Sequence, residues 1–139
     1  MPILRELGFA YDSSIFPVFN HRYGIPHAPR LPCKNDNGLI EVPPSTYPLG
    51  TVNIPFCGGI YFRFFPLAMM RRMVQRLTQR GEPVICYLHP WEIDPEQPRI
   101  PMSMGLKLRH YWRLGKTAEK LRRLLTEFRF TTIKDLLQL

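Results

Sequence analysis

No stretch of this chain stays apolar for long enough to span a bilayer. Met1 to Leu7 lacks the basic stretch, apolar run and small-residue cleavage site of an export leader, which leaves the compartment open between cytoplasm and cell envelope. Cysteine is scarce: Cys33, Cys57 and Cys86 cannot all pair with one another, and none stands at the short paired spacing of zinc sites or redox motifs. His21, His27 and His110 have no partner at metal-ligand spacing, so no tight zinc binding is expected of this chain. Glu92, Asp94 and Glu96 alternate, but Pro95 and Pro98 make them an extended acidic turn rather than a cation loop. Internal repeats and low-complexity segments are absent too.

With 139 residues, 45% of them hydrophobic, the chain is long enough for one modest domain with a core of its own. Its formal net charge of +8 comes mostly from scattered arginines, among them Arg71, Arg72, Arg76, Arg113, Arg122 and Arg123. A solvated basic face accounts for such charges, and so does attraction to an acidic polymer or an anionic membrane surface. Nucleic acid is supported by charge alone, because no DNA or RNA recognition motif accompanies it.

The chain opens on a helical pattern, with Ile3, Leu4 and Leu7 at core-facing spacing and Gly8 ending it. Phe9-Ala10-Tyr11 reads as a short strand stopped by Asp12-Ser13-Ser14. A first element that begins at once points to a polypeptide cut short at its start. Over 15–66 prolines interrupt every candidate element and exclude regular helix, leaving Leu39–Val42 and Thr51–Ile54 as short edge strands. This proline-rich excursion is read as one that covers or shapes a site. From Leu67 an amphipathic helix carries Leu67, Met70, Met73, Val74 and Leu77 on one face and closes at Gly81. Pro83–Leu88 is a continuous apolar run of the kind buried on both faces of a parallel sheet. A second irregular connection runs to about Gly115, after which Thr117 caps a helix with Ala118, Leu121, Leu124, Leu125 and Phe128 on one stripe. Phe130–Ile133 is a possible final strand, and Thr132 with Asp135 forms a variant capping box for a terminal helical turn.

Two strand ends carry polar residues that a purely structural end does not need: Asp12 with Ser13 and Ser14, and His89 with Trp91 and Glu92. In parallel α/β architectures the carboxyl ends of strands gather on one side, which bears the active site. An aspartate beside a histidine favours the imidazolium and fixes the ring, which suits a general acid that protonates a leaving amine. The plainer alternatives stay open: Asp12 as a turn or cap, His89 as a hydrogen-bonded structural residue, Trp91 as a core aromatic.

The strings Leu7-Gly8-Phe9-Ala10-Tyr11-Asp12-Ser13-Ser14-Ile15-Phe16-Pro17, His21-Arg22-Tyr23-Gly24-Ile25-Pro26, Pro43-Pro44-Ser45, Gly58-Gly59-Ile60-Tyr61-Phe62-Arg63 and Tyr87-Leu88-His89-Pro90-Trp91-Glu92-Ile93-Asp94-Pro95 resemble the C-terminal half of polysaccharide deacetylases of the NodB homology group, carbohydrate esterase family four. The likeness is closest to the branch found with exopolysaccharide and exosortase loci. It implies an α/β fold, the C-terminal portion of a distorted (β/α) barrel with a long proline-rich insertion, forming a single partial domain over residues 1–139. The implied activity is metal-dependent hydrolysis of N-acetyl groups on amino sugars of a polysaccharide. By this resemblance His89 matches the leucine-x-histidine motif whose imidazole is the general acid, and Asp12 takes the place of an aspartate that tunes it, although Asp12-Ser13-Ser14 stands where the family has aspartate-tryptophan. Trp91, Tyr61, Arg30 and Glu41 are candidates for the sugar groove. The family's aspartate pair, its histidine-x-x-x-histidine and its arginine-proline motif are missing. The chain is therefore expected to hold no cofactor, to leave the divalent metal, zinc by preference, to the complete enzyme, and to be inactive alone. An incomplete barrel would also expose apolar faces and strand edges and self-associate. The competing reading is a non-catalytic carbohydrate-binding or accessory module.

Overall fold

Gly8 does what a glycine after a helix does: at φ +83° it turns the chain out of α1 (Pro2–Glu6), while the Phe9 and Gly8 amides donate to the Leu4 and Arg5 carbonyls. The computed structural model describes residues 2–20 and 22–139, so His21 and Met1 lie outside it. The expected helix is present, yet its apolar face is open, with Ile3 and Leu7 both exposed. β1 (Tyr11–Asp12) then pairs in parallel with β3 (Ile40–Glu41), and β2 (Cys33–Lys34) pairs antiparallel with the other edge of β3. A second, two-stranded antiparallel sheet joins β4 (Thr46–Leu49) to β5 (Val52–Pro55). Pro48 sits within β4, as proline can where a strand has only one neighbour.

The excursion over 15–66 is less irregular than its prolines suggest. It holds α2 (Gly59–Phe64), a six-residue helix that fits between Pro55 and Pro66, so the exclusion of helix there is corrected. α3 (Leu67–Gln79) follows the sequence pattern closely and buries Met70, Met73, Val74 and Leu77. Together with Phe56, Cys57, Phe62 and Leu124 these side chains form the main core.

Pro83–Leu88 does not enter a sheet interior. It runs extended, with one parallel bridge between Tyr87 and Gly58. The Tyr87 amide donates to the Cys57 carbonyl and the Tyr87 carbonyl accepts from Gly59, while Ile85 exchanges bonds with Ser45. Val84, Cys86 and Leu88 are only partly buried against the core. A run of apolar residues specifies burial but cannot say how many neighbouring strands supply it. Gly58 is required at the bridge, because a Cβ there would lie 2.8 Å from the Tyr87 carbonyl oxygen.

Three helices occupy the last third of the described residues. α4 (Met104–Tyr111) buries no residue, which is why no apolar stripe announces it within the expected loop. α5 (Leu114–Glu127) begins before Thr117, whose hydroxyl donates back to the Arg113 carbonyl instead of capping the helix. Of the expected stripe Leu124 is buried and Leu121 and Phe128 pack on the core, while Leu125 is exposed. Phe130–Ile133 forms no strand; Ile133 opens α6 (Ile133–Leu137), and Thr132 caps it by accepting from the Asp135 amide as the pattern predicts. The architecture is mixed α/β with no closed barrel among the described residues.

Candidate functional site

The proline after His89 turns the chain into a short 3-10 turn, Pro90–Glu92, and this turn assembles the site. It brings Glu92 back under His89, whose amide donates to Glu92 Oε2 at 3.1 Å. The imidazole Nδ1 lies 3.3 Å from the same oxygen, and Nε2 lies 3.0 Å from the Tyr87 hydroxyl. Trp91 stacks on the imidazole at a centroid distance of 4.0 Å and 23° between planes. Tyr87 and Trp91 are about half exposed, whereas Glu92 is 2% exposed. The result is a wet aromatic rim over a dry carboxylate. With Glu92 accepting at Nδ1, the Nε2 position is where a proton can be given or taken, and the Tyr87 hydroxyl marks a place for the other partner of that exchange.

Glu92 has a second neighbour. Its Oε1 lies 3.4 Å from Nη1 of Arg63 on α2, whose side chain is 5% exposed. Arg63 donates through Nη2 to the Arg109 carbonyl on α4, and burial lowers its pKa while the Glu92 charge opposes that shift. Removing a guanidinium from water is costly unless it is paired, so Arg63 and Glu92 depend on one another. Beyond Arg63, the Tyr61 hydroxyl of the same helix lies 3.1 Å from that of Tyr23. Burial, and then Tyr61, raises the Tyr23 pKa, while the nearby Arg109 opposes it.

Of the residues singled out from sequence, His89, Trp91 and Tyr61 are thus joined through α2 and the 3-10 turn. The other three have partners of their own. Arg30 pairs with Glu82 at 2.8 Å and donates to the Thr46 carbonyl. Glu41 is 1% exposed and accepts from the Ile15 amide. Asp12 accepts from the Ser13 amide and the Ser14 hydroxyl, so the carboxylate that touches His89 is Glu92. Sequence reasoning missed Arg63, Tyr87 and the role of Glu92. The spacing His89-Pro90-Trp91-Glu92 signals the last of these, since a histidine and a glutamate three apart across a proline-led turn can cap one another. His110 bonds Gln97 at 3.0 Å and packs edge-on against Tyr111, outside this group.

No helix among the described residues is long and apolar enough to cross a membrane. A family model described as a domain of unknown function, DUF3473, matches residues 13–138. No curated protein and no solved structure matches the chain.

Proposed function

The chain belongs to the DUF3473 family, and we propose that it is the C-terminal part of a metal-dependent polysaccharide N-deacetylase, in which it supplies the general acid and one wall of the sugar site. That family is known as a C-terminal domain associated with polysaccharide deacetylases, which supports the reading alongside the motif likeness of Tyr87–Pro95. One observation carries it furthest: an imidazole held at Nδ1 by a buried carboxylate, bonded at Nε2 to the half-exposed Tyr87 hydroxyl, and stacked on a half-exposed tryptophan. In this proposal His89 gives its Nε2 proton to the departing amine, Glu92 holds the ring, and Trp91 lies against a sugar. Asp12 remains a candidate for tuning His89, and the finer fold proposed for the complete polypeptide is a distorted (β/α) barrel to which this chain contributes its end.

Among the described residues no three His, Cys, Asp or Glu side chains gather as a metal-ligand set. These residues form no such set, so in this proposal the divalent ion is held by other residues of the complete enzyme, and no step is routed through it here. The test uses a polypeptide that joins this chain to a metal-binding deacetylase portion, assayed on an N-acetylated chito-oligosaccharide. His89→Ala should lower kcat by about a hundredfold or more with KM little changed. Near-normal turnover with metal still bound would refute the assignment.

The exposed pair Tyr87 and Trp91 also favours a second reading, a carbohydrate-binding module without chemistry. On that reading Trp91→Ala abolishes oligosaccharide binding and His89→Ala leaves every activity of the joined polypeptide intact.

A further inference from the structure

Arg63 takes part in a second site, whose lining shares no residue with the aromatic rim. A cavity of about 200 Å³, roughly seven times the share of liquid volume of one water, is lined by Arg63, Arg113, Lys116, Lys120 and Thr117 beside the apolar segment 65–67, with no acidic residue in its lining. Arg63 is 95% buried there, and its Nε has no hydrogen-bond partner; Nη1 has only the Glu92 carboxylate, at ion-pair distance but without hydrogen-bond direction. The N-terminus of α5 opens on the same cavity. Arg113, its flanking residue, adopts a left-handed conformation at φ +53°, and no side chain caps the helix, whose first turn contains no acid. The Lys116 amide donates to the Arg113 carbonyl, and the two amides ahead of it, uncapped by any side chain, with the positive end of a 14-residue helix favour an anion.

The cluster carries more positive charge than its own residues neutralise. Lys120 spends its ammonium on the Phe62 and Phe65 carbonyls, at 2.7 and 2.5 Å, and burial followed by the Arg113 charge lowers its pKa to about 8. Among the described residues Glu92 is the one carboxylate paired with the group, through Arg63, and it is shared with His89. Bringing four cations together around a hollow is unfavourable unless a counter-charge occupies it.

We infer that this cavity is an oxyanion site that takes a phosphate-class ligand, the free ion or a phosphate monoester. A tetrahedral oxyanion presents acceptor oxygens in diverging directions, matching donors that converge from the α2 side, from the α5 first turn, and from Arg113 and Lys116. A planar carboxylate can meet two of these directions at once, not all. The inference is independent of the deacetylase reading and of any metal.

The experiment titrates the chain with inorganic phosphate in 0.15 M-range salt, about physiological, so that diffuse attraction to the basic surface is screened, and follows backbone amides and arginine Nε–H signals by NMR. Saturable one-to-one binding tighter than about 1 mM is expected, with shifts confined to Arg63 Nε–H and the amides of residues 113–117. Arg113→Gln and Lys116→Gln, both at exposed positions, should each weaken it about tenfold, while His89→Ala leaves it unchanged. Tighter binding of glucose 6-phosphate than of inorganic phosphate assigns the ligand to a sugar ester, and equal binding to the free ion. Shifts spread over all the surface arginines, equal binding of acetate, or binding insensitive to both variants would overturn the site.

Discussion

Asp12 and Glu41 are register partners across the parallel pairing of β1 and β3, and each keeps one carboxylate oxygen buried with no hydrogen-bond partner. Burial raises the Glu41 pKa, the Asp12 charge raises it further, and the amides of Ile15 and Ser14 oppose the rise. The folded chain therefore favours protonated Glu41 more than the unfolded chain does. Stability from this source is complete below the ordinary glutamate range and is lost as pH rises through the raised folded value.

Glu41→Gln should accordingly stabilise the chain near neutral pH by about 1 kcal/mol, since an amide still accepts from Ile15 and adds a donor beside Asp12. In acid, where Glu41 is protonated anyway, the gain should vanish. Urea unfolding of both proteins across the pH range checks this, and a glutamine variant that is weaker at neutral pH would contradict it.

The buried pair of Glu92 and Arg63 supports a second expectation. Glu92→Gln leaves the guanidinium without its counter-charge and should lower stability by about 3–5 kcal/mol. His89→Ala removes only a part-exposed ring and should cost about 1 kcal/mol or less. Adding Arg63→Met to Glu92→Gln should restore much of the loss, and a double variant as weak as the sum of the singles would show that the two residues act separately.

The parts of this fold that were legible in sequence are those in which one face alone had to be apolar. The α3 stripe from Leu67 to Leu77 and the Thr132–Asp135 cap each state a local requirement in adjacent residues. α2 is too short to show a period, and α4, with Leu106 and Leu108 exposed, has no inward face to display. In the site, His89 and Trp91 are marked by their place after an apolar run, whereas Arg63 reaches Glu92 from a different helix and leaves no trace in the local pattern. Asp12 beside His89 was a pairing expected from topology. The carboxylate in contact with the histidine comes from its own turn.

Lys120 offers a test on the basic side of the pH scale. Its folded pKa, about 8, lies below that of an ordinary lysine, so between the two values the unfolded chain holds the extra proton. Stability then rises with pH from about 8 towards the ordinary lysine range, the penalty of the buried charge being present in full below it. Lys120→Met should flatten that rise in thermal unfolding curves. An unchanged pH slope would mean that the ammonium is solvated in the folded chain.

Along Pro83–Leu88 the backbone is satisfied on one side only: Ile85 and Tyr87 bond to Ser45 and to Cys57–Gly59, while the amides of Val84, Cys86 and Leu88 have no partner among the described residues. Isotope labelling should therefore read this segment as alternating slow and fast sites, with neighbours in one short run differing in protection because they point to opposite sides. Any strand that came to lie along the open side would slow the fast sites and leave the slow ones as they are, so three amides would report the arrival of a neighbour without a label or a probe attached to either molecule.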